Sequence, residues 1–405
     1  MIRSFRHIPA ALAQLDFKPF PKPGRNPAAG ALSIGELRLL ARRRAPAAAF
    51  DYADGGSYSE ETLDRNYRAY RNVELVPGIL RDVSVVDPAT RVAGSDFSLP
   101  VGIAPTGLTR LMHADGERAG VAAAAKFNVP FTLATMGTVS IEDTAAAGPS
   151  GTRWFQLYLR QDRASSLEMM RRARAAGYEA LVLTVDTAVT STRLRDARNG
   201  LTLPPTLGGR TMVDALRRPG WCRDFLTTMP LEFANFSTET GNVSAQFNTM
   251  FDASLDYADL GWVRDAWPGA LIVKGVQGPE DAVECFDHGA DGVVVSNHGG
   301  RQLDRAPVPL LQLPAIRAAV GPDRLLIADS GIMSGGDVVA ALAAGANFTL
   351  IGRAYLYGLM AGGQAGVERT LEILEREIRQ AMALLGVRTL DELGPGHVRL
   401  GAAAA

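Results

Sequence analysis

The stretch SNHGGRQLD (296–304) places His298 directly behind an apolar run, DGVVV (291–295), and next to two glycines. An imidazole in such a place could act as a general base. The glycines let backbone and substrate approach closely, and the fork of donors on Arg301 could clamp a carboxylate. Two more charged groups end apolar runs in the same way. Asp186 closes EALVLTVD (179–186) and could orient and charge-stabilise an imidazole. Lys274, in ALIVKG (270–275), adds positive charge, useful if electrons accumulate on a neighbouring ring. Farther on, ADSGIMSGGD (328–337) and LIGRA (350–354) offer Asp329, Ser330 and Gly331, then Gly352 and Arg353. Glycines, backbone amides and one guanidinium together suit a phosphate. The residue types therefore point to proton abstraction from a carboxylate-bearing substrate beside a phosphorylated ligand.

These residues must be positioned by regular elements. Eight short apolar runs follow one another: LPVGIAP, VPFTLAT, TRWFQLY, EALVLTVD, ALIVKG, DGVVVSN, RLLIADSG and NFTLIGR. Most are separated by amphipathic stretches such as SSLEMMRRARAAG and PEDAVECFDHGA. Continuous apolar strands alternating with helices imply a parallel sheet, and eight such units imply an α/β fold closed as a (β/α)8 TIM barrel. A doubly wound open sheet fits less well, because no GxGxxG follows the first strand. In a barrel the strand ends form the reactive face. Those ends carry Pro105, Thr106 and Gly107; Ala134; Gln156 with Tyr158; Thr184 with Asp186; Lys274; Ser296 with His298 and Arg301; and the two phosphate-type loops. Before the barrel, Ser33 and Glu36 in SIGELRLLARRRA form a capping-box pattern that opens a helix, and ETLDRNYRAY reads as a second helix. Residues 1–32, with Pro9, Pro19, Pro21, Pro23 and Pro27, read as an extended arm, so that the barrel domain occupies 33–405. The segment 200–256, leaving the fourth strand's end, reads as a long irregular lid or binding loop.

The formal net charge of −1 gives no electrostatic pull toward nucleic acid. Cys222 and Cys285 are the only cysteines and lie far apart, which suits a reducing compartment, and no metal-ligand spacing is present. No apolar run reaches the ~18 residues of a membrane span, and the first twenty residues lack a secretory apolar core. A cytoplasmic protein is expected. Cys222, His7, His113, His288 and His397 read as structural or surface residues.

With these residues assembled, the chain resembles the FMN-dependent 2-hydroxy acid dehydrogenase/oxidase family from about Ile34 to Gly386. SNHGGRQLD matches its signature without a gap. AFDYADGG, GIAPTGLTRLMH, RLRDARNG and LIGRAYLYGLMAGG look most like the quinone-linked L-lactate dehydrogenases of actinobacteria, and TVDTAVTSTRLRD is also similar to mandelate dehydrogenase. The resemblance implies FMN as cofactor and oxidation of an L-2-hydroxy acid, lactate to pyruvate above all, with a quinone or another carrier as acceptor. It implies His298 as base and Asp186 as its partner. It assigns the substrate carboxylate to Arg193 and Arg301, and the substrate oxygens to Tyr52 and Tyr158. It places Lys274 beside the flavin ring, with Pro105, Thr106, Gly107, Ala134, Gln156, Thr184 and Ser296 around it. Asp329, Ser330, Gly331, Met333, Gly352 and Arg353 fall at the ribityl and phosphate end. By spacing alone Arg193, in the charge run RLRDARNG, suits a solvated face equally well. Met333 stands where many relatives have an arginine, Met136 where glycolate oxidase has a tryptophan, and Gly137 where an alanine lies near the flavin edge. The family also implies a homotetramer, and in mandelate dehydrogenase-like members the segment after the fourth strand touches the membrane. The rival expectations are an oxygen-using oxidase of a bulkier, aryl acid such as mandelate, and a non-redox flavin- or phosphate-binding barrel.

Overall fold

The computed structural model describes residues 26–201, 208–236 and 251–401. All eight expected strands form: β1 (Val101–Ile103), β2 (Phe131–Ala134), β3 (Arg153–Leu157), β4 (Ala180–Thr184), β5 (Ala270–Val276), β6 (Gly292–Val295), β7 (Leu325–Ala328) and β8 (Phe348–Ile351). They pair in parallel and in sequence order, and β8 closes the barrel against β1 through Thr349–Val101, Leu350–Gly102 and Ile351–Ile103. Every residue of β1–β4, β6 and β8 is buried. This is why the runs are continuously apolar rather than alternating: one face meets helices and the other fills the barrel. Trp154, Val182, Ile272, Val294, Ile327, Phe348 and Leu350 pack together inside. Phe97, from a hairpin ahead of β1 (Thr90–Val92 with Ser95–Phe97), plugs the closed end against the rings of Trp154 and Phe348.

Three helices precede the barrel: α1 (Ile34–Arg44), α2 (Ala47–Asp54) and α3 (Glu61–Arg71). The capping pattern at α1 is half realised. Ser33 accepts from the Glu36 amide, but the Glu36 carboxylate takes the Leu32 amide instead of that of Ser33. The start of α3 has no local cap. Asp304, the last residue of SNHGGRQLD, supplies one from across the chain by accepting from the Thr62 and Ser59 amides. Asp54, at the end of α2, is buried and knots four elements. It accepts from Arg38 on α1 (2.6 and 2.9 Å), from Arg195 after β4 (2.9 Å) and from Tyr357 (2.7 Å).

The structure corrects two expectations. The arm does not stay extended to residue 32. Pro27 opens a 3-10 turn, Pro27–Gly30, whose Asn26 side chain accepts from the Ala28 amide, and Ala28 and Ala31 are buried in the core. A proline is tolerated there because the first turn needs no amide from it; residues 1–25 lie outside the described residues. The segment 200–256 is not irregular throughout, for it carries the helices Gly209–Leu216 and Pro219–Thr227. Local amphipathic pattern there wins over its Thr, Pro and Gly content. Residues 202–207 and 237–250 lie outside the described residues.

The helical stretch Arg353–Leu385 is two arms meeting at a kink at Gly362–Gly363. The arms press together glycine on glycine: a Cβ added to Gly366 would lie 1.9 Å from the Gly358 carbonyl oxygen. Gly366→Ala should therefore lower stability by about 1–3 kcal/mol through overpacking. A urea denaturation midpoint equal to that of the wild type would contradict this contact.

Candidate active site

The loop after β6 is the most constrained part of the site. His298, Gly299 and Gly300 have φ of +58°, +66° and +72°. Glycine adopts this region freely, but a histidine there costs about 1–2 kcal/mol. Side chains hold the turn. Asn297 Oδ1 accepts from the Gly300 amide (3.1 Å), and Asn297 and Asn66 of α3 exchange reciprocal amide hydrogen bonds (2.8 and 2.9 Å) with both residues buried. Ser296 Oγ accepts from the His298 amide, and the Gly299 amide donates to Ser330 Oγ in the neighbouring loop after β7. The Gly300 carbonyl takes the Ser57 amide, so a side chain at 300 would strike the backbone of Leu63.

This turn aims the imidazole. His298 Nδ1 lies 3.0 and 3.2 Å from the two carboxylate oxygens of Asp186, beyond β4. With Nδ1–H donating to that carboxylate, Nε2 is left with a free lone pair. Burial, with the charges of Lys274 and Arg301, outweighs Asp186 and holds the imidazole below its ordinary pKa. Burial works against the charge of Asp186, but His298 and Lys274 keep its carboxyl below the usual range. The pair at neutral pH is thus a neutral imidazole on an ionised carboxylate. Gln302 fixes the partner's backbone by donating to the Asp186 and Val189 carbonyls.

Two guanidinium groups flank Tyr52. Arg301 Cζ lies 4.9 Å and Arg193 Cζ 5.5 Å from the centre of its ring. Arg193 Nε donates to the buried Asp196 at 2.6 Å. Burial, and the like charge of Arg193, push Arg301 down to about 10, so that it remains a cation at neutral pH. One nitrogen of Arg301 donates to the Tyr52 and Gly55 carbonyls. Arg353 donates to Ala53 (3.1 Å), Gly299 (2.7 Å) and Gly55 (2.6 Å) carbonyls. Both cations therefore sit on the unpaired carbonyl end of α2, where a helix dipole favours them. Arg353, expected to meet a phosphate, keeps two of its five N–H groups for that task. Tyr158 is half-buried in the cavity wall, and desolvation there together with Asp186 raises its hydroxyl above the ordinary phenol range, so it stays a proton donor.

These groups surround one cavity of about 490 Å3. Pro105, Thr106 and Gly107 line it after β1, Ala134 and Met136 after β2, then Gln156, Tyr158, Thr184 and Lys274. Tyr52, Arg193, His298 and Arg301 stand at one side, and Asp329, Ser330, Gly331, Met333, Gly352 and Arg353 at the far end. Asp186 and Ser296 stand behind the wall, Ser296 accepting from Lys274 Nζ at 3.2 Å. The donor set fits a flavin. Gln156 Nε2 and Thr184 Oγ1 are buried and have no partner among the described residues, though both residues line the cavity. Such orphaned groups call for a polar ligand edge. Lys274 adds the nearby cation, 3.7 Å from Asp329. At the far end the Met333 amide is spent on Asp337 and its side chain is uncharged, so the remaining N–H groups of Arg353 and the loop amides could hold a phosphate.

Gly137 does not belong to this wall, contrary to the expectation. A Cβ there would meet Leu133, the Ala134 carbonyl and Asn235, all behind the loop. The glycine in the wall is Gly107, whose Cβ would press on Met136 at 2.9 Å. Sequence reading missed Leu201 and Phe251, which line the cavity from the two ends of the insertion, the Phe251 ring 5.4 Å from that of Tyr158. It also missed Asn66 and Asp54, which carry no motif signal.

Comparison with known proteins agrees with this geometry. The FMN-dependent dehydrogenase family matches residues 41–400. A Mycobacterium tuberculosis protein provisionally named L-lactate dehydrogenase is 52% identical over 368 residues, 91% of this chain and 89% of that protein. The L-lactate dehydrogenase of Caulobacter vibrioides is 45% identical, covering 89% of this chain and 96% of its own. Among solved structures, a monotopic membrane protein, (S)-mandelate dehydrogenase, superposes with a TM-score of 0.88 at 37% identity, over 92% of this chain and all of that one. A mandelate oxidase bound to a 2-hydroxy-3-phenylpropionic acid superposes with a TM-score of 0.79, also at 37% identity, over 92% of this chain and 100% of that one. A TIM barrel whose strand ends gather a histidine–aspartate pair, two arginines and a cavity with the donor set a flavin needs, matched over most of its length, places this chain in the FMN-dependent dehydrogenase family, oxidoreductases that act on 2-hydroxy acids.

Proposed function

We propose that the chain oxidises L-lactate to pyruvate and delivers the electrons to a membrane quinone. The observation that carries the reaction is the His298–Asp186 pair beside two guanidinium groups on one cavity wall. Arg193 and Arg301 bind the substrate carboxylate and fix its orientation. The hydroxyls of Tyr52 and Tyr158 bind the substrate oxygens. His298 Nε2 accepts a substrate proton, and Asp186 stabilises the imidazolium that results. FMN, when bound, supplies the acceptor for the two electrons. Lys274 offers the compensating positive charge. Lactate is favoured by the relatives that carry its name. Mandelate is the second reading, favoured by the solved structures that share the fold.

The quinone reading rests on the insertion. Leu216, Leu226 and Met229 are 72%, 78% and 79% exposed, next to exposed Arg217 and Arg223. Apolar side chains interleaved with cations suit the interface of an anionic bilayer. No helix among the described residues is long and apolar enough to cross a membrane. The chain would dock on the inner face of the cell membrane without spanning it. A homotetramer is part of the same reading, and the exposed apolar loop with Ile79, Leu80 and Val85 offers it a contact.

The reading makes predictions for flavin reduction, for pH dependence and for membrane binding. Under anaerobic conditions L-lactate should bleach the flavin of the purified holoenzyme quickly and L-mandelate slowly. His298→Gln should keep FMN but lose the bleaching. Bleaching by mandelate alone would move the substrate, and a near-wild-type rate for His298→Gln would remove it as the base. The kcat/KM profile should fall on acidification with an apparent pKa below 6.5, as His298 becomes protonated. Asp186→Asn removes the charge that favours the imidazolium. It should move that limb to lower pH and lower kcat/KM by roughly 10²–10⁴-fold; a limb shifted upward would contradict the pairing. Finally, the chain should cosediment with vesicles containing phosphatidylglycerol. The double variant Leu216→Ser/Leu226→Ser should lose this while still being reduced by lactate; undiminished cosedimentation would place the contact elsewhere.

A further inference from the structure

The insertion after β4 does more than present a surface. It returns to the barrel at residues 233–236, and there Asn235 is 2% exposed beneath the loop that follows β2. Its side chain reaches three backbone groups of that loop. Oδ1 accepts from the Ile141 amide at 2.9 Å, and Nδ2 donates toward the Ala134 and Thr135 carbonyls at 3.3 and 3.4 Å. The neighbouring Ala234 amide donates to the Gly137 carbonyl at 3.0 Å. The clip is held from outside: Arg172 donates to the Asn235 carbonyl, and the Phe233 and Phe236 rings pack edge to face.

What this loop carries is the cavity wall. Met136, between the clipped carbonyls and Gly137, lines the cavity and leaves no room for a side chain at Gly107. Thr135 Oγ1 donates to the Gln156 carbonyl (2.7 Å) and accepts from the Tyr158 amide (3.1 Å). One amide group of the insertion thus bears on Met136 directly, and on Gln156 and Tyr158 through Thr135. Four hydrogen bonds to consecutive stretches of one loop are more than the insertion needs to stay attached. It is already tied to the loop after β1 by Trp221 Nε1 on the Leu111 carbonyl and by Arg110 on the Met229 and Pro230 carbonyls.

We propose that Asn235 is a positioning residue for the reaction: it sets the height of the β2 loop, and so the placement of Met136 and Tyr158 against the substrate. The inference rests on 2-hydroxy acid oxidation and not on which acid is used. A displacement of about 1 Å in such a wall costs up to roughly a hundredfold in rate.

The test is a double-mutant cycle on holoenzyme, with Asn235→Ala, Met136→Ala and both together. The quantity read is kcat/KM for anaerobic flavin reduction by whichever 2-hydroxy acid reduces the wild type fastest, alongside FMN content and thermal midpoint. Asn235→Ala should bind FMN and lose roughly ten- to a hundredfold in kcat/KM, and that loss should shrink markedly when Met136 is already alanine. A wild-type kcat/KM in Asn235→Ala, or an equal loss in both backgrounds, would reduce Asn235 to a structural role. Should Asn235→Ala fail to fold, Asn235→Asp keeps the acceptor for Ile141 but cannot donate, as a carboxylate, to Ala134 and Thr135. It should show a loss of the same kind, and full activity in it would overturn the proposal. A wild type reduced by no 2-hydroxy acid would instead strike the functional reading itself.

Discussion

A histidine held in the left-handed region, with one ring nitrogen on a buried carboxylate, is the constraint on which the site depends. The conformation of His298 is not locally favourable, and three successive left-handed residues do not persist without support. The support comes from elements distant in sequence: Asn66 on α3, Ser330 after β7, and Ser57 just before α3. The helices ahead of the barrel are therefore part of the active-site frame. Strain at His298 is compatible with a stable fold because its neighbours over-determine it.

The same helices are held by charges that also face the substrate side. Arg301 and Arg353 cap the carbonyl end of α2, while Asp54 at that end gathers Arg38, Arg195 and Tyr357. Helix α2 carries Tyr52, and the Arg195 segment carries Arg193. One electrostatic knot thus sets the spacing of a tyrosine and two arginines brought from three parts of the chain. In a buried setting these interactions are effective because each charge has a partner or a carbonyl.

The insertion after β4 joins this arrangement from the other side of the mouth. Its helices present apolar and basic groups outward, its ends place Leu201 and Phe251 in the cavity wall, and Asn235 grips the β2 loop. Surface and pocket are thus built by the same segment of the chain.

Much of this was legible in the residues. Eight continuous apolar runs sufficed for the barrel, because burial on both faces leaves a pattern that needs no distant information. SNHGGRQLD disclosed its histidine and its glycines for the same reason: the turn and its side chains lie within nine consecutive residues. Asp186, Lys274 and Arg353 were found because strand ends share one face in a barrel. What the residues could not disclose depends on contacts between remote segments. The cap that Asp304 gives α3, the Asn66–Asn297 pair and the Asn235 clip involve ordinary polar residues whose partners lie about 90 to 245 positions away. The direction of Gly137 turned on which side of a loop faces the cavity, a choice made by packing. The residue types determined which chemistry is possible here, and the folded chain decided which groups stand close enough to perform it.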